Sequence, residues 1–125
     1  MAADAMLGTI GQIARTVRDI GESEAWYRDA LGLRHLFTFD TLAFFDCDGT
    51  RLMLSETERP DQKESLIYFR VTDIDAVCEA LGQRGIEFIR TPERVHRHAD
   101  GTEEWMAFFE DPEGRPLALM EARGA

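Results

Sequence analysis

The chain states one motif twice. Leu42-Ala43-Phe44-Phe45-Asp46 returns as Met106-Ala107-Phe108-Phe109-Glu110, and Leu52-Met53-Leu54-Ser55-Glu56 returns as Leu117-Ala118-Leu119-Met120-Glu121. Gly49 and Gly114 stand between these segments, with one residue inserted in the second turn. Upstream, Val17-Arg18-Asp19-Ile20 corresponds to Val71-Thr72-Asp73-Ile74. Matches repeated in the same order across both halves point to duplication rather than coincidence. A chain of 125 residues is sized for one domain. The expectation is therefore a single domain over 1–125, built from modules at about 8–56 and 65–121.

Each module reads as strand, helix, strand, strand, strand, an α+β arrangement of two βαβββ units. In the first, Ile10 to Val17 has strand-like apolar and β-branched content. Asp19 followed by Glu22 marks a helix start, Ile20, Trp26, Tyr27, Ala30 and Leu31 give helical spacing, and Gly32 is the stop. Strands are expected at Arg34–Phe39, Leu42–Asp46 and Thr50–Ser55, with Asp48-Gly49 as a hairpin turn. In the second, Leu66–Val71 is a strand and Asp73 caps a helix whose buried stripe is Ile74, Val77, Cys78 and Leu81. Gly85 ends it, and Ile86–Arg90, Glu103–Glu110 and Pro116–Met120 complete the set around an Asp111-Pro112-Glu113-Gly114 turn. The polar segment Glu56–Glu64 reads as the link.

Period-two alternation sorts the faces. Ile13, Val17, Leu52, Leu54, Ile67, Phe69, Val71, Leu117 and Leu119 go under the helices. Gln12, Ala14, Thr16, Arg51, Met53, Ser55, Leu66, Tyr68, Arg70, Ala118 and Met120 go to the other side. Arg15 falls on the helix side, where it is expected to snorkel to water. Helices on one face of each curled mixed sheet leave the other face to line a cavity.

Charge narrows the partners. With 14 Lys+Arg against 24 Asp+Glu, the net is −10 and no basic footprint for nucleic acid is visible. No apolar run approaches the roughly 18 residues of a membrane helix, so no membrane partner is expected. Met1 to Leu7 lacks the basic start and apolar core of a secretory leader. Two cysteines, Cys47 and Cys78, are too few for a disulfide scaffold, and a reduced, cytoplasmic protein is the expectation.

Val17-x-Asp19, Trp26-Tyr27-Arg28-Asp29-x-Leu31-Gly32-Leu33, Ala43-Phe44-Phe45, and Asp111-Pro112-Glu113-Gly114 with Leu117-x-Leu119 span nearly the whole chain. In these segments the chain resembles the vicinal oxygen chelate superfamily, which contains glyoxalase I, bleomycin-resistance proteins, extradiol dioxygenases and methylmalonyl-CoA epimerases. The resemblance implies a homodimer with shared sites. It also implies four metal positions, on the first and last strand of each module, and these correspond to Gln12, Met53, Leu66 and Ala118. Only Gln12 could ligate a divalent ion; Met53 offers a soft thioether, and Leu66 and Ala118 offer nothing. Without that Lewis acid, the family's isomerisation or epimerisation lacks its main electrophile.

The expected function is accordingly metal-independent binding or sequestration of a small molecule, with no cofactor. The site would be lined by Gln12, Arg51, Met53, Leu66, Tyr68, Arg70 and Ala118. The rival is a glyoxalase-type lyase or isomerase using a divalent metal ion, and catalytic residues remain unassigned. Gln12 could orient a ligand carbonyl or satisfy backbone groups. Arg51 and Arg70 could pair with a ligand anion or with this chain's own carboxylates. Tyr68 could donate its hydroxyl or fill space. His96 and His98 share a strand face but are too few for a metal site alone. Pro92, Asp100 and Gly101 around them suggest a mobile loop or an edge, with a general base or ligand lid as possible roles. Each Phe pair should send one ring to the helices and one to the cavity, and Trp105 reads as core. Glu56 and Glu121 read as solvated strand ends. Cys47 has no basic neighbour in sequence, so nothing marks it as a nucleophile.

Overall fold

The computed structural model describes Met6, residues 9–60 and residues 65–124. Most of the stretch read for a leader, and residues 61–64 of the link, lie outside them. The chain forms two compact units, Met1–Asp61 and Gln62–Ala125.

In unit one, β1 (Gln12–Val17) leads into α1 (Ile20–Ala25) and a π-helical turn, Trp26–Ala30. β2 (Arg34–Phe39), β3 (Leu42–Cys47) and β4 (Thr50–Glu56) follow. They run as an antiparallel meander, and β1 closes against β4 in parallel, giving the order β1-β4-β3-β2. Unit two repeats this with β5 (Ile67–Arg70), α2 (Ile74–Gln83), β6 (Phe88–Arg97), β7 (Glu103–Glu110) and β8 (Pro116–Arg123), in the order β5-β8-β7-β6. The βαβββ reading holds in both units: two four-stranded mixed sheets, each crossed by a helix.

Largely equivalent positions form the core of each unit. Val17, Tyr27, Phe45, Leu52 and Leu54 are buried in the first, and Ile74, Leu81, Phe109, Leu117 and Leu119 in the second. Asp19 accepts from the Glu22 N–H at 2.9 Å, and Asp73 accepts from the Ala76 N–H at 3.1 Å. Both helices stop at a left-handed glycine, Gly32 at φ 82° and Gly85 at φ 92°. One residue more separates Asp19 from Gly32 than Asp73 from Gly85. The surplus is absorbed where Leu31 N–H reaches back to the Trp26 carbonyl at 2.9 Å, a five-residue turn in place of a four-residue one. That is why the first helix ends in a π-helical turn and the second does not.

Four expectations are corrected. Arg15 does not snorkel: it is 1% exposed, in the core of unit one beneath the helix. Glu56 and Glu121 are not solvated strand ends. Glu56 Oε2 accepts the Ile20 N–H at 3.0 Å, and Glu121 Oε1 accepts the Ile74 N–H at 2.7 Å. Each strand-end carboxylate thus sits on the positive end of its own helix, beside the capping Asp. Third, Ile13 is partly exposed although its alternation places it on the helix side. Fourth, β6 does not end at Arg90 but runs seven residues past it, which puts His96 on the sheet edge, the second of its two expected settings. Pro92 is tolerated because β6 is the sheet edge and its ladder is irregular at three places.

The Glu121 cap continues outward. Its Oε2 accepts from Arg123 Nε at 2.8 Å, and Arg123 Nη2 reaches Asp75 Oδ2 at 2.6 Å. Replacing Glu121 by Ala strands the buried Ile74 N–H and breaks this chain, so a loss of about 2 kcal/mol in urea unfolding is expected. Glu121→Gln keeps an acceptor for Ile74 and should lose clearly less. Equal losses for the two variants would show that the cap is not what the carboxylate contributes.

Candidate functional site

The helix-free face of unit one gathers a compact polar group. Cross-strand partners share a face, and the ladder sets Gln12 beside Arg51, Ala14 beside Met53, and Met53 beside Phe44. Arg51 Nε donates to Gln12 Oε1 at 2.7 Å, and Gln12 Nε2 lies 3.8 Å from Met53 Sδ, a weak acceptor. The guanidinium carbon of Arg51 stands 4.8 Å from the centroid of the Phe44 ring. Phe44 in turn stacks on Phe37, with centroids 4.5 Å apart and 24° between planes.

Phe37 reaches this face through a bulge. His35 pairs with Phe45 on the helix side, yet Phe37 pairs with Phe44 on the other, because the ladder skips Leu36. Strict alternation would have sent Phe37 under the helix with His35. Unit two has the same irregularity: Phe88 pairs with Phe109, Arg90 pairs with Phe108, and Ile89 is passed over. Sequence reasoning missed Phe37 because nothing in a run of large residues marks the extra one.

The helix-free face of unit two carries Tyr68, Arg70, Phe108 and Ala118. Tyr68 is 44% exposed and meets Phe108 edge-on with centroids 6.2 Å apart. Arg70 is exposed; Leu66 is half-buried just before β5; Ala118 is fully covered, flanked in the ladder by Tyr68 and Phe108. As anticipated, each Phe pair splits between the faces; Phe45 and Phe109 turn to the helix side, Phe44 and Phe108 away from it. Of the expected site residues, Gln12, Arg51 and Met53 come together in unit one, and Tyr68, Arg70 and Ala118 share one face of unit two.

The four positions matched to metal ligands do not fit a metal. Gln12 offers an amide already engaged by Arg51, Met53 a thioether, and Leu66 and Ala118 no donor. Elsewhere, His98 Nε2 lies 2.7 Å from Glu104 Oε2 and the His96 and His98 rings meet edge-on at 4.4 Å. Among the described residues, no group of three or more His, Cys, Asp or Glu could hold a metal ion. Trp105 lies on the helix side of β7, half-buried, with Arg123 Cζ 4.1 Å over its ring. Its indole N–H donates to Glu103 and, with Arg94 helping, holds that carboxyl below the usual range.

The cysteines are poor nucleophiles. Burial foremost, and the Asp75 charge second, push the Cys78 thiol up to about 11; burial and then Asp46 raise Cys47 as well. The folded protein keeps the Cys78 proton between its ordinary value of 9.0 and about 11, where the unfolded chain has lost it. That contribution is intact below about pH 9 and is lost as pH rises toward 11. Alkylation of Cys78 at pH 8 should run roughly 100-fold slower than for an unperturbed thiol and climb through pH 10. A rate matching a model peptide would contradict this.

Comparison with known proteins gives the fold a context. The family model described as Glyoxalase/Bleomycin resistance protein/Dioxygenase superfamily matches residues 9–119. A lactoylglutathione lyase from Agrobacterium tumefaciens superposes with a TM-score of 0.72 at 21% identity, over 92% of this chain and 94% of its own. A glyoxalase/bleomycin resistance protein/dioxygenase from Alicyclobacillus acidocaldarius gives 0.74 at 22%, over 93% and 92%. A virulence protein from Salmonella typhimurium gives 0.74 at 22%, over 93% and 98%. At these identities the likeness is one of fold.

Proposed function

This chain belongs to the Glyoxalase/Bleomycin resistance protein/Dioxygenase superfamily, and from that premise we propose that it binds or sequesters a small molecule without a metal. The ligand contacts would come from Gln12, Arg51, Met53, Leu66, Tyr68, Arg70 and Ala118 on the helix-free sheet faces. The observation that carries this reading is the group Gln12, Arg51 and Met53. Gln12, which the resemblance matches to a metal ligand, here accepts a hydrogen bond from an arginine. That exchanges a site for a cation for one that carries a cation of its own, and a second cation beside it would be repelled. A cytoplasmic homodimer completes the reading. No helix among the described residues is long and apolar enough to cross a membrane.

The rival, a glyoxalase-type lyase or isomerase holding a divalent ion, predicts a different titration. Isothermal titration of chelator-treated protein against a panel of metabolites and antibiotics should yield a ligand whose affinity is unchanged when nickel or zinc is added. Ligands bound only after metal is restored, together with stoichiometric metal in protein purified without chelator, would establish the rival.

A further inference from the structure

In a chain of net charge −10, an arginine ordinarily finds a carboxylate. Arg51 has none within ion-pair distance among the described residues. Its cross-strand partner Asp46 instead accepts the Gly49 N–H at 3.0 Å and serves the turn. What holds Arg51 is Gln12, through Nε, and the face of Phe44. Both leave the two terminal Nη groups unengaged. A guanidinium oriented by a hydrogen bond and laid on a ring presents a planar pair of donors, the geometry that recognises a carboxylate with two parallel bonds.

Apart from Gln12 and Asp46, the side chains grouped with Arg51 are flat or apolar. Phe37 stacks on Phe44 from β2, with Phe44 between it and Arg51, and is 46% exposed, so a ligand ring that reaches across Phe44 from the fork can meet it. Met53 borders the same group and adapts to an irregular partner. The Gln12 amide N–H, turned only to the Met53 sulfur, remains available as a further donor. The duplicate module does not repeat the arrangement: the counterpart of Arg51 is Pro116, and that of Phe37 is Arg90. The feature is thus particular to unit one rather than a consequence of the fold.

We propose that this face of unit one takes a planar aromatic carboxylate, its anion on the Nη groups of Arg51 and its ring against Phe37 and Met53. The proposal rests on the reading of the protein as a metal-independent receptor. The test uses full-length, chelator-treated protein with two probes of one shape, 1-naphthoate and the uncharged 1-naphthalenemethanol, followed by titration calorimetry and by NMR of the Met53 methyl group. Naphthoate should bind, shift the Met53 signal, and bind about tenfold or more tightly than the alcohol. Arg51→Ala and Arg51→Lys should each remove that preference, since lysine cannot supply the planar fork. Phe37→Ala should weaken both probes alike. Thermal unfolding of each variant checks that the exposed substitutions leave the fold intact.

If the two probes bind equally at Met53, or naphthoate binds Arg51→Ala unchanged, the aromatic anion is wrong while the metal-free receptor stands. If either probe binds only after nickel or zinc is added, both are overturned. If neither probe binds under any condition, the aromatic anion is likewise overturned, and the wider ligand panel decides the receptor reading by itself.

Discussion

A carboxylate at the end of the last strand, bonded to the first N–H of the helix, organises each unit. The first turn of a helix has donors without intrahelical partners and carries partial positive charge. Asp19 and Asp73 meet that need locally, one turn ahead. Glu56 and Glu121 meet it from β4 and β8, more than thirty residues away in sequence. Because β1 pairs in parallel with β4, and β5 with β8, the helix begins beside the end of the strand that carries the glutamate. The bond thereby ties the start of the helix to the side of the sheet where Leu54 and Leu119 are buried. The opposite side, left without a helix, is where Gln12, Arg51 and Met53 can assemble.

Much of this frame was legible in the residues. The repeats gave the two modules, and the Asp and Gly signals gave both helix ends. Alternation sorted Phe44 from Phe45 and Leu52 from Met53, because a strand with one buried face leaves little choice of register. What alternation could not see was its own interruption. The bulges at Leu36 and Ile89 invert the faces that follow, and no local chemistry announces them. Arg15, Glu56 and Glu121 were misjudged for a related reason. Charged residues are read as solvated by default, and only tertiary neighbours reveal the burial of Arg15 or the helix N-terminus over Glu121.

The site follows the division between frame and chemistry that broad families show. Under the proposed function, the positions that the resemblance matched to metal ligands remain on the strands or at their start, while Met53, Leu66 and Ala118 bring side chains unsuited to a divalent ion. Met53 and Ala118 occupy equivalent places opposite Phe44 and Phe108, yet one is a polarizable chain near Arg51 and the other a covered methyl. The two faces have therefore diverged from each other as well. Unit one concentrates a guanidinium and an aromatic stack, whereas unit two offers Tyr68, Arg70 and the His98–Glu104 pair.

The wide turn at Trp26–Ala30 bears on how such divergence could happen. One surplus residue between two anchored ends has been taken up inside the helix, and the strands on either side keep the pairing seen in the other half. A lineage built this way can gain or lose a residue in its crossover without re-threading a sheet. Descent could rewrite the working surface of one copy while the scaffold of both stayed in step.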